Sequence, residues 1–136
     1  MRLLALRITL GVIAAFQLAF GVLFLVAPQL YPALVGLHPA PAWTSWIFGL
    51  FGARAIGYAV GMVLTMRDPL RHRGWIATMI GVQAIDGIVT LALVAMGVLT
   101  FAQVSTAGFM PIAFIVALAL TFPRARAVPS APGAVA

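Results

Sequence analysis

Four apolar runs, at residues 8–27, 47–66, 75–98 and 108–122, leave this chain little choice of fold. The longer ones match the roughly 20 residues that a helix needs to cross the hydrocarbon of a bilayer. Of the 136 residues, 64% are hydrophobic and 7% charged, with a mean hydropathy of +1.16. A water-facing surface needs far more polar side chains than this. The sequence therefore predicts an all-α integral membrane four-helix bundle over residues 1–127, followed by a disordered Pro/Ala/Gly-rich tail at 128–136.

The breaks between the runs are proline-marked and uneven. Pro28 stops the first run, which is longer than the apolar core of a signal peptide and has no A-x-A-like cleavage site after it. A retained first helix is expected. Residues 28–46 form a long uncharged loop holding Pro28, Pro32, Pro39 and Pro41, and its 31–37 part is apolar enough to lie in an interface. Asp68-Pro69 breaks the short turn at 67–73. A second uncharged loop spans 99–107, and Pro111 is expected in the first turn or so of the fourth helix, where a missing N–H is tolerated.

Charge placement sets an orientation. Arg2 and Arg7 precede the first run, Arg67, Arg71 and Arg73 lie in the second connection, and Arg124 and Arg126 follow the fourth run. The first and third connections carry no arginine. By the positive-inside rule both termini are expected in the cytoplasm, with Trp43 and Trp46 at the outer interface and Trp75 at the inner one. The pI of about 11.8 comes from arginines scattered at segment ends, which do not form the basic stripe that nucleic-acid binding needs. Richness in Ala, Gly, Val, Pro and Arg suggests a GC-rich bacterial source, hence the bacterial cytoplasmic (inner) membrane.

Lipid tails are as apolar as leucine, so helices in a bilayer associate through close packing and interhelical polar contacts. Small residues recur four apart: Gly11, Ala15 and Ala19; Ala53, Gly57 and Gly61; Ala77 and Gly81; Ala113 and Ala117. These stripes are read as packing surface. The fourth run has no polar residue between Ile112 and Leu120 and is expected at the periphery.

Two full charges fall inside the runs, Arg54 and Asp86. Each costs roughly 2.5–3.5 kcal/mol near a helix centre on insertion scales. Arg54 lies roughly 10 Å below the outer boundary, and Asp86 roughly 18 Å above the inner one in a core about 30 Å thick. Their depths agree, so a buried Arg54–Asp86 pair is expected, with the guanidinium forking onto the carboxylate. Gln83, Asp86 and Thr90 share one helix face, Arg54 and Tyr58 share another, and Gln17 reaches mid-membrane in the first helix. This cluster reads in three ways: a polar lock that fixes helix register, a pocket in the outer half for the polar head of a quinone, lipid or terpenoid, or a proton or ion path through Asp86.

Catalytic chemistry has few carriers here. There is no Cys, Glu, Lys or Asn. His38 and His72 belong to connections on opposite faces and cannot share a metal within one subunit. Tyr58 reads as a packing residue. No catalytic residue, metal site or cofactor is expected beyond a bound quinone or lipid.

Three segments carry a resemblance: FGVLFLVAPQLYPALVGL (20–37), FGLFGARAIGYAVG (48–61) and VQAIDGIVT (82–90). Across residues 10–120 the chain resembles the DoxX-like group of small four-helix bacterial membrane proteins. The resemblance implies that Arg54 and Asp86 occupy positions where that group tends to carry buried charges. Some members are associated with thiol or oxidative-stress systems, or are described as subunits of quinol-oxidising complexes. This chain has no cysteine and departs from any thiol role of its own.

The leading functional expectation is a non-enzymatic accessory subunit or a lipophile-binding module. Its partners would be the bilayer and either another membrane protein or further copies of itself, with no nucleic acid. A small proton, ion or solute transporter working as an oligomer is the alternative. A membrane-embedded enzyme acting on a lipid ranks last, because a carboxylate pinned by arginine is a poor base.

Overall fold

The computed structural model describes residues 1–123; the tail expected at 128–136, together with Arg124 and Arg126, lies outside them. The elements are α1 (Arg2–Val26), α2 (Leu30–Leu34), α3 (Thr44–Arg67), α4 (Arg73–Ala95) and α5 (Ser105–Thr121), with no strand among the described residues. Three of them, α1, α3 and α4, are long and apolar enough to cross a membrane. The fifth is apolar but only 17 residues long.

The helices overrun the apolar runs at the end where the arginines gather. Arg2 and Arg7 belong to α1, and Arg67 closes α3. The reason lies in the orphan carbonyls that end a helix. Arg2 Nη2 donates to the carbonyl of Leu120 at 2.7 Å, and Arg7 Nη2 donates to that of Arg67 at 3.4 Å. Long side chains on α1 thus cap the last turns of α5 and α3. Arg73 stands over the Phe122 ring, 5.4 Å from its centroid. At the far end α4 stops at Ala95, before Gly97, whose φ of +72° suits glycine and would strain other residues.

Order within the bundle follows from the contacts. α1 packs along α3 and also touches α5, α5 packs on α4, and α3 meets α4 only lightly. The buried core joins Leu6, Leu10 and Ile13 of α1 to Met62, Met79 and Leu118 of the other long helices. All of these lie toward the arginine end, so that half of the bundle is filled. Outward, the surface is a coat of exposed Leu, Ile, Val and Phe, including Ile85, Ile88, Val116 and Leu120. A coat of this kind fits lipid as its solvent.

The close approach of α1 and α3 occurs where two glycines face each other, and of the expected small-residue stripes Gly61 is the member that a neighbour meets most tightly. A Cβ on Gly52 would stand 2.8 Å from the Gly21 carbonyl oxygen, and one on Gly21 would stand 3.0 Å from that of Gly52. By contrast Ala15, Ala19, Ala53, Gly57, Ala77 and Gly81 are exposed. Four-residue spacing marks a helix face but does not say which face meets a neighbour. Trp75, near the arginine end of α4, lays its half-buried ring against Gly61. One further expectation needs correction. α5 is integrated, with Phe114 and Leu118 buried and the opposite face exposed; an apolar helix in an apolar solvent needs no polar residue to pack.

Candidate functional site

Toward the far end the same helices do not fill the space between them. α3 and α4 touch where Trp75 crosses Gly61, with Tyr58 tilted against the indole at 6.3 Å, and part beyond that point. The result is a cavity of ≈ 530 Å³ bounded by α1, α3, α4 and α5, with Tyr31 of α2 at its edge. This volume is in the range that takes drug-sized ligands, roughly 300–1,000 Å³.

One wall is aromatic, and its spacing is that of a helix. Phe16, Phe20 and Phe24 succeed one another by single turns of α1. Phe16 stacks on Phe20 at 6.5 Å and meets Phe114 of α5 edge-on at 5.8 Å. Phe24 stacks on Phe48 of α3 at 5.4 Å, while Tyr31 sets its edge on both Phe20 and Phe24. Burial pushes the Tyr31 hydroxyl above its ordinary pKa, so it stays protonated at any physiological pH. Interlocked rings of this kind form a stiff wall.

The lining also carries polar side chains. Gln83, Asp86 and Thr90 line the cavity from α4, Gln17 from α1 and Thr106 from α5. Gln83 is only 5% exposed. Among the described residues no hydrogen bond engages its side-chain amide. Thr90 turns its hydroxyl back onto the Asp86 carbonyl at 2.7 Å, which leaves the Asp86 carboxylate outside that bond. Pro111 is the seventh residue of α5, deeper than a first turn. It gives the Ala107 carbonyl no N–H, and both residues line the cavity. Its Cβ also rests near Gly87, 3.7 Å from where a side chain there would begin.

Of the residues singled out from the sequence, Gln17, Gln83, Asp86 and Thr90 are thus brought to one cavity, and Arg54 and Tyr58 are not. The Arg54–Asp86 pair is not formed among the described residues: Arg54 is exposed on α3 and lies outside the cavity lining. Arg54, Tyr58 and Gly61 share a face of α3, the one that meets Trp75. Arg54 lies two turns from Gly61 on that face, and α3 meets α4 only lightly. Depth arithmetic gave the two charges a common level but could not register the splay.

Sequence reasoning missed the aromatic wall. The i, i+4, i+8 run of phenylalanines in α1 was visible, but phenylalanine is unremarkable in a membrane helix. His38 and His72 are exposed in separate connections, and no cluster of metal-ligating side chains occurs among the described residues. A second hollow of ≈ 400 Å³ lies under the first loop, lined by Gln29, Ala33 and Leu37. It is closed on one side by Gln29, whose Nε2 donates to Thr44 and Ser45 at 3.3 Å each. Comparisons with known protein families, with curated proteins and with solved structures found no match.

Proposed function

We propose that the chain is a four-helix transmembrane protein of a bacterial cytoplasmic membrane, with both termini inside, and that its cavity binds a lipophilic molecule by a polar head. In this reading it acts as a binding module or accessory subunit and performs no chemistry itself. Kinship with the DoxX-like group belongs to the same proposal and rests on the three short segments quoted above.

The observation that carries the reading is Gln83. Its side chain lines the cavity and has no hydrogen-bond partner among the described residues. A polar lock would pair such a group within the bundle. Here it faces an unfilled space walled by phenylalanine, which suits a guest that brings both apolar surface and a hydrogen-bonding group. Because α3 and α4 meet only lightly, entry of a membrane-dissolved molecule between them belongs to the same proposal.

Native mass spectrometry of protein extracted gently from its own membranes tests this. A stoichiometric lipophilic adduct is expected on the parent and lost in Gln83→Leu. Protein that flies bare, alone or as an oligomer, would refute the binding reading. Orientation is checked separately. The chain has no cysteine, so single-cysteine variants at Arg71 and Leu37 can be labelled cleanly. An impermeant maleimide added outside intact cells should reach position 37 and not 71.

A further inference from the structure

We propose that the occupant of this cavity is a lipophilic monocation, an organic ammonium-type charge on an apolar body, seated with its charge against Asp86. The inference rests on the cavity being a ligand site, as proposed above, and adds the sign of the ligand. Among the described residues of the lining Asp86 is the only one that carries a formal charge, and Arg54 stands outside it. Membrane carboxylates without a partner are costly, and a guest of opposite charge offsets that cost in a medium where Coulomb attraction is weakly screened.

The rest of the lining favours the same sign. Ring faces attract cations through the aromatic quadrupole and offer nothing comparable to an anion. Six phenylalanines and Tyr31 contribute to the lining. The amide oxygens of Gln17 and Gln83 are further acceptors for a polarised N–H or C–H bound to the charge. An anion would meet Asp86 with no cation of the lining to answer it, and so would the phosphate of a zwitterionic phospholipid. A cavity of ≈ 530 Å³ also has no room for two acyl chains, which points to a compact molecule dissolved in the bilayer.

The test titrates the full-length protein in detergent micelles with two probes, tetraphenylphosphonium and the uncharged decylubiquinone. Tetraphenylphosphonium should bind saturably at one per chain, be displaced by tetrabutylammonium, and not be displaced by the quinone. Asp86→Asn should weaken it at least tenfold, and Asp86→Glu should retain it. Competition in the parent protein keeps the test decisive even where Asp86→Asn does not fold. If decylubiquinone binds and the phosphonium does not, or if Asp86→Asn binds the phosphonium like the parent, the cationic assignment is overturned while the cavity remains a ligand site. Binding of neither probe overturns the assignment, and the native adduct then decides separately whether the cavity binds anything.

Discussion

Gly52→Val is the sharpest perturbation of the packing. A Cβ at this position would lie 2.8 Å from the Gly21 carbonyl oxygen and 2.9 Å from Leu25 Cγ, against 3.4 Å for ordinary contact. Backbone supplies the first of these atoms, so a side chain cannot rotate away, and α1 and α3 must separate by about half an ångström along their longest interface. Overpacking of a fitted interface costs typically ~1–3 kcal/mol, and a β-branched residue adds two methyl groups to the clash. The helix-propensity gain of valine over glycine returns only a few tenths of a kcal/mol. The net loss should be about 2 kcal/mol, a fall in melting temperature on the order of 10 °C. Gly57→Val is the matched control, because nothing lies within 4 Å of its Cβ. Thermal melting of the two variants in one detergent, followed by circular dichroism, reads the difference. If Gly57→Val melts well below Gly52→Val, the small-residue stripe read from the sequence is the true interface and the packing described here is wrong.

Three other outcomes follow from the same geometry. Arg54→Gln should move stability by no more than about 0.5 kcal/mol, since breaking a true buried ion pair would cost ~3–5 kcal/mol and no such pair is present; chemical or thermal unfolding measures it. Gln83→Leu should leave stability within about 1 kcal/mol of the parent, because its amide makes no hydrogen bond among the described residues, while abolishing ligand retention. A merely structural glutamine would lose stability instead. Gly61→Val should drive the Trp75 ring off α3 and expose the indole, seen as a red shift and stronger quenching of tryptophan emission. An unshifted spectrum would mean that α3 and α4 do not meet there.

The long helices were legible because the period and length of apolar runs are properties of single segments. Residues 75–98 and α4, or 47–66 and α3, differ by a few residues at each end, and the differences have causes outside the runs. Arg2 and Arg7 extend α1 because their side chains reach carbonyls on α5 and α3, partners that no local window contains. The polar stripe of Gln83, Asp86 and Thr90 was legible for the same reason as the helices: spacing on one helix fixes a shared face. Arg54 shows where this ends. Residue counting gives height along the membrane normal, but whether two residues meet also depends on the rotation of each helix and the angle between them. Here α3 and α4 meet where Trp75 lies on Gly61, and only lightly overall. Gly57 and Gly52 make the same point, since the chain offers both to a neighbour and α1 takes Gly52.

Photo-crosslinking from inside the cavity tests the central claim most directly. Phe20→p-benzoylphenylalanine puts a reactive ketone in the aromatic wall, and Phe109→p-benzoylphenylalanine puts one on an exposed face of α5. After irradiation in native membranes, position 20 should yield one recurrent small lipophilic adduct that position 109 does not. If position 20 gives only crosslinks to α4 or the same bulk phospholipids as position 109, the cavity holds no ligand of its own.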